Sequence, residues 1–212
     1  AQRGIKRDDA DFIPIQVMNE VLGAGGFTSR LMKRIRSDEG LTYGIGSNFG
    51  ARVYYPGTFT IRSFSKNRTV ALTAKFAMEE MEKIRTAPIT EEELTTAKAA
   101  LIETFPRTFE SKQGTISLFI NDEWTKRDPS YWQTYREKVA AVNTAEVQRV
   151  AKEHMDPTKT MLLIVGKWDE VKEGDPNETR ETHKANATSF YEGKPANALP
   201  LRDPMTLEPI SK

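Results

Sequence analysis

Only two side chains in the sequence can bind a metal through imidazole nitrogen, His154 and His183, and there is no cysteine. A zinc hydrolase site needs at least three side-chain ligands, and two that share a helix are usually His at i and i+4 with a Glu between them. His154 follows Lys152-Glu153 near the end of a predicted helix, His183 lies in a polar stretch, and neither has a His four residues away. Both are read as solvent-facing, since an isolated His is more often structural than a ligand. The sequence therefore assigns no metal ligand and no cofactor to this chain. The lack of Cys also removes disulfides and thiolate sites, and it leaves the compartment open.

Arg36 and Tyr43 offer hydrogen-bond donors instead of metal ligands. They stand seven residues apart with Gly40 turning the chain between them. A guanidinium fork and a phenol can stabilise an oxyanion or hold substrate carbonyls. Arg36 falls in the last turn of a predicted short helix and Tyr43 at the start of a predicted strand, so both can reach one edge. On spacing alone, a surface Arg beside a half-buried strand Tyr is the better account of them.

Gly23-Ala24-Gly25-Gly26 has no Gly-Lys-Ser/Thr ending and follows no strand, which separates it from phosphate-binding loops. It reads as a mobile helix-to-helix turn that another backbone could approach closely, making Gly23, Gly25 and Gly26 candidates for a substrate- or partner-facing loop. Arg30 to Arg36 carries four cations in seven residues. With Lys+Arg 31 against Asp+Glu 30 and no aromatic stacking platform, that run reads as a solvated face and not as a nucleic-acid interface. No serine or cysteine triad can be assembled.

These residues must be positioned by one domain of ordinary globular composition, 38% hydrophobic and 29% charged. Residues 2–7 read as the tail of a strand. Asp11 can cap a helix carrying Ile13, Val17 and Val21, with Pro14 tolerated in its first turn. Ser29 is expected to cap a short helix from Arg30 to Asp38 that Gly40 ends. Thr42–Phe49 and Thr58–Ser65 read as an antiparallel pair. A helix from Asn67 shows the stripe Val70, Ala74, Ala77, Met81 and Ile84, and Pro88 follows it. Thr90 with Glu93, and Asn143 with Glu146, supply capping signals for further helices. Residues 115–124, 130–141 and 144–154 read as helical, and Lys159 to Gly166 as a buried strand. The fold class is α+β, a two-layer sandwich of a mainly antiparallel sheet packed on helices. Residues 1–172 form the domain and 173–212 an extended tail, packed in places. The apolar run Met161–Val165 is far too short to cross a bilayer, and no targeting segment is seen. The opening Ala-Gln-Arg-Gly, without Met, reads as the product of a longer precursor.

The run Gly25-Gly26-Phe27-Thr28-Ser29-Arg30-Leu31, followed by Ile35-Arg36-Ser37-Asp38-Glu39-Gly40-Leu41-Thr42-Tyr43, is not generic. It resembles the second, zinc-free domain of the insulinase/pitrilysin metallopeptidases, in the branch of mitochondrial processing peptidase. Gly57-Thr58-Phe59, Thr90-Glu91-Glu92-Glu93-Leu94 and Val142-Asn143 follow in the expected order, so the resemblance spans roughly residues 3–170. It implies two similar α+β domains facing each other, one holding zinc through an inverted His-x-x-Glu-His motif and a more distant Glu. The other supplies an Arg and a Tyr seven residues later, which Arg36 and Tyr43 match. The inverted motif is absent here. The resemblance thus implies a partner half, inactive alone, that closes over a peptide substrate, with zinc in the complementary domain or subunit. A non-catalytic structural or assembly protein of the same fold is the alternative. A nucleic-acid module built on Arg30–Arg36 is a weaker third.

Overall fold

The computed structural model describes residues 1–187, 202–203 and 205–210. The centre of the fold is α1 (Phe12–Asn19), where Ile13, Pro14, Ile15, Val17, Met18 and Asn19 are all buried. Such a helix, apolar nearly all round, has to be enclosed on every side. α3 (Glu91–Thr104), α5 (Tyr131–Ala141) and α6 (Thr144–His154) pack against it, with α2 (Val70–Thr86) laid on α6. Pro14 sits within the first turn of α1, where its missing N–H breaks no helical bond.

The strands form the second layer. β1 (Gln2–Arg3), β5 (Thr58–Ser65) and β3 (Thr42–Phe49) make an antiparallel sheet in the order β1-β5-β3. β2 (Ile5–Lys6) pairs in parallel with β4 (Ala51–Arg52) beside it. The inner face of the sheet carries Ile45, Phe49 and Phe59 onto the helices. Ser47 reaches across to α1, its Oγ donating to Asn19 Oδ1 at 2.7 Å. The α+β two-layer reading holds, and β3 and β5 have the limits expected from their sequence.

Both capping boxes form. Thr90 Oγ1 accepts from the Glu93 N–H at 3.1 Å, and Glu93 Oε2 accepts from the Thr90 N–H at 2.8 Å. Asn143 and Glu146 repeat the arrangement at the start of α6. Two other caps fail. Asp11 occupies the N-cap of α1, but its carboxylate turns to Arg149 and His154. Ser29 Oγ donates backward to the Gly26 carbonyl at 2.7 Å, which leaves the next helix without a side-chain cap. In α2 the buried face keeps Ala77, Met81 and Ile84 but opens with Ala71, Leu72, Thr73 and Phe76. Val70 and Ala74 are only half-buried.

The predicted strand from Lys159 to Gly166 does not form. Lys159 ends a 3-10 turn, and Met161, Leu163 and Val165 stand 74%, 70% and 91% exposed. A strand needs a ladder partner, and β1, the nearest, is two residues long and pairs with β5. Among the described residues the segment's one ladder-like contact is at Met161, whose N–H donates to Ala1 O at 2.8 Å and whose carbonyl accepts from the Ala1 amino group at 2.7 Å. α4 (Lys112–Trp124) likewise leaves Ile116, Phe119, Ile120 and Trp124 in the open, beside Tyr54.

Beyond α7 (Trp168–Glu173) the chain returns to the domain. Ala187 is buried, Lys75 Nζ donates to Thr182 O, and His183 stands edge-on to Phe76 at 5.2 Å. The expected tail at 188–201, 204 and 211–212 lies outside the described residues.

Candidate functional site: an arginine between two exposed rings

Arg36 belongs to a π-helical stretch, Met32–Asp38, in which the backbone is one residue wider per turn than an α-helix. Ile35 in the same turn is fully buried and Arg36 faces outward. The stretch ends at Gly40, whose φ of +62° lies in the left-handed region. There the Gly40 N–H donates to Arg36 O at 3.1 Å and the Leu41 N–H to Ile35 O at 3.0 Å, satisfying carbonyls the helix end would otherwise orphan.

β3 then begins with an irregularity. The register against β5 shifts between Thr42 and Ile45, so Tyr43 and Gly44 bulge out of the ladder. Thr42 Oγ1 holds the bulge, donating to Phe64 O at 2.5 Å and accepting from the Gly44 N–H at 3.1 Å. A bulge re-aims the side chain it carries. Tyr43 is 77% exposed, unusual for a large aromatic at the start of a strand whose other face is core.

Helix end and bulge bring the two predicted residues together. The Arg36 guanidinium carbon lies 5.0 Å from the Tyr43 ring centroid. It also lies 4.5 Å from the ring of Phe27, itself 69% exposed. The cation is thus held between two π faces, each worth about 0.5–1 kcal/mol at an exposed site, and its N–H groups make no described hydrogen bond to protein. Phe27 was not singled out from sequence. The available signal was an aromatic directly after a Gly-Gly pair, a position where burial cannot be expected.

The glycine run behaves differently at its two ends. The first helix does not stop at Gly23; a π-helical turn, Glu20–Ala24, extends it. Gly23 is buried, and a Cβ there would come within 2.5 Å of Ser47 Oγ and 2.6 Å of Ser47 N. Its role in this structure is close packing on β3, which corrects the loop reading for that residue. Gly25 sits over the Glu20 carbonyl, and Gly26 has φ +57° with open space around it. These two lead directly into Phe27.

The basic run is not a solvated face. Arg30 forms a two-pronged bridge to Glu93 at 2.6 and 2.7 Å. Arg34 stacks over Phe76 at 4.4 Å and faces Glu39, Glu79 and Glu80. Glu39, beside the helix end that presents Arg36, also takes His183 Nε2 at 2.7 Å and Arg180 at 3.4 Å. The segment around His183 therefore braces the Arg36 helix.

Neither histidine is solvent-facing, because each meets a carboxylate more than 140 residues distant in sequence. His154 Nε2 lies 2.8 Å from Asp11 Oδ2. Asp9, Asp11 and His154 are the one group of three possible metal donors among the described residues. They do not suit zinc: both Asp11 oxygens are taken by Arg149 at 2.6 and 3.0 Å, which places a guanidinium where a cation would sit. Those bonds, and the one from His154, hold the Asp11 carboxyl at about 2. Among the described residues no helix is long and apolar enough to cross a membrane.

The described residues thus form a helix-backed antiparallel sheet that displays Arg36 and Tyr43 at one edge. Residues 1–101, just under half of the chain, match the Peptidase M16 inactive domain. The chain is 30% identical over 164 residues to the Helicobacter pylori protein named Non-peptidase homolog YmxG, covering 76% of this chain and 37% of that one. The solved peptidase M16 inactive domain from Pseudomonas fluorescens superposes with a TM-score of 0.68 at 26% identity, over 74% of this chain and 37% of its own. A protease from Helicobacter pylori shares the fold, with a TM-score of 0.65 at 20% identity, over 74% and 38%. The chain thus spans less than two fifths of the length of these relatives.

Proposed function

We propose that this chain is the partner half of a zinc endopeptidase, closing over an extended peptide and presenting Arg36 and Tyr43 to its backbone. The observation that carries the reading is the guanidinium held between the exposed rings of Phe27 and Tyr43. A free cation and a phenol aimed outward from a helix end and a bulge can donate to peptide carbonyl oxygens. They can also donate to the negative oxygen that develops when one of those carbonyls is attacked. Zinc chemistry falls to the complementary domain or subunit, since the donors here do not suit the ion. The chain by itself is inactive. Two uncovered apolar surfaces, on α4 and at 161–165, support assembly with a further domain.

Joined to its complementary half, Tyr43→Phe removes one donor and keeps the ring over Arg36. The expected loss in kcat is on the order of 10²-fold, as for deletion of one oxyanion donor. Arg36→Lys should also lower kcat, because a point charge does not reproduce the planar fork. Full turnover in both variants, with an unchanged thermal midpoint, would sink the assignment.

A second reading is favoured by the name of the Helicobacter pylori relative, a non-peptidase homolog. In it the fold serves a structural or assembly role and the Arg–Tyr pair contacts a partner. The complementary half separates the two: an intact His-x-x-Glu-His with chelator-sensitive peptide cleavage supports the peptidase, and its absence supports the assembly role.

A further inference from the structure

The outer face of the sheet carries a second group of donors, three residues along β3 from Tyr43. Arg62 on β5 is the ladder partner of Gly46, and the adjacent cross-strand pair on the same face is Asn48 with Thr60. With Ser47 they line an open cleft of about 310 Å³. Gly46 has no side chain; a Cβ there would come within 3.1 Å of the Gly23 carbonyl oxygen, so the strand opposite Arg62 presents backbone only. Among the described residues Arg62 makes no ion pair, and the Asn48 amide and Thr60 hydroxyl make no hydrogen bond. Arg30, Arg34, Arg68, Arg85, Arg127, Arg149 and Arg180 each hold a carboxylate, whereas Arg62, like Arg36, does not; the open cleft beside Arg62 is what singles it out.

We infer that this cleft is a subsite for an acidic side chain of a bound peptide, with Arg62 as its specificity-determining residue and Asn48 and Thr60 as supporting donors. The inference rests on the peptide-binding reading of the Arg36–Tyr43 edge and deepens it. The guanidinium fork matches a carboxylate in two parallel bonds, which an amide side chain cannot reproduce and a lysine opposes. Position follows from strand geometry. Phe64, the residue facing the bulge, and Arg62 are two residues apart on one face of β5, roughly 7 Å along the strand. An extended peptide whose carbonyl meets Tyr43 therefore brings a side chain to Arg62 two or three residues away.

The test needs no turnover. Three extended peptides that differ only in carrying Glu, Gln or Lys at one position are titrated into the full chain, following the backbone N–H resonances of Gly46 and Thr60, which every variant keeps. The Glu peptide is expected to bind about fivefold more tightly than the Gln peptide, the range of a solvent-accessible charge pair, with the Lys peptide weakest. Arg62→Gln should erase that order, and Arg62→Glu should invert it in favour of Lys. Far-ultraviolet dichroism of both variants confirms that they fold. Equal binding of all three peptides, no binding by any of them, or an order that persists in Arg62→Gln overturns the inference. Such a result leaves the reading of Arg36 and Tyr43 standing on the Tyr43→Phe turnover measurement, so the two fail separately.

Discussion

Ile35 and Arg36 are neighbours in one helical turn and serve opposite ends. Ile35, with Gly23, Leu31, Ile45 and Ser47, belongs to the seam between the helices and the inner face of β3. Arg36, with Phe27 and Tyr43, belongs to the outer side of the same helix end and strand. The inner set is closed: there is no room even for one methyl at Gly23. The outer set leaves two aromatic rings more than two thirds exposed. Folding alone accounts for the first set. It gives no account of the second, since large rings in water add nothing to a core. That difference is why the outer set is the candidate site.

The difference can be broken most sharply from within. Ile35→Ala leaves a cavity where no solvent reaches, and the expected loss is about 2–5 kcal/mol of stability. Denaturant unfolding would show a lower midpoint with an unchanged slope. A loss under about 1 kcal/mol would mean the seam is looser than its burial indicates. Gly23→Ala comes next, at about 2 kcal/mol, because the new Cβ would meet the backbone nitrogen of Ser47, which cannot swing aside as a side chain tip can. Gly26→Ala is the control. It meets nothing, costs about 1 kcal/mol for its left-handed φ, and so separates strain from collision.

Legibility in the sequence followed the range of the forces. β3, β5, the helices from Val70 to His154 and both capping boxes rest on local signals, and they were readable from periodicity and caps. The Arg36–Tyr43 convergence was also readable, because a helix stop at Gly40 and a following strand fix both ends within seven residues. Met161–Val165 misled because an apolar β-rich run shows strand propensity but not the partner a strand requires. His154 and His183 misled for the converse reason: their partners, Asp11 and Glu39, are 143 and 144 residues away and leave no local trace. Phe27 was missed because its partner is a cation nine residues on, across a turn that no periodicity describes.

The Asp11 cluster, between the start of α1 and α6, tests whether long-range polar contacts matter as the apolar seam does. Arg149 chiefly, and His154, hold the Asp11 carboxyl at about 2, below its ordinary 3.8. A depressed carboxyl contributes stability that is present above the unfolded value near 4 and is lost as pH falls from about 4 towards 2. The full linkage value is reduced by water around the Arg149 end, leaving about 1 kcal/mol. Asp11→Asn should therefore lower the thermal midpoint at pH 7 by about 2–4 °C. Its midpoint should also fall less than wild type between pH 4 and pH 2. Parallel pH profiles for the two proteins would show that the cluster contributes nothing.

The smallest stability effect belongs to the outer set, and it is the most informative. Phe27 is two-thirds exposed on a three-residue 3-10 turn, so Phe27→Ala removes little buried area and one face of an exposed cation–π contact. The expected cost is about 0.5 kcal/mol, close to the limit of a thermal melt. Arg36 itself should change more. With Phe27 gone only the Tyr43 ring confines the guanidinium, and its Nε–H order parameter should fall towards that of a free surface arginine. Phe27→Trp should restore it, because an indole face binds a cation at least as well, whereas Phe27→Leu should not, because an aliphatic side chain has no quadrupole. Restoration by Leu would reduce Phe27 to ordinary packing. A melt lowered by several degrees would place it in the core seam and erase the distinction between the two sides of β3.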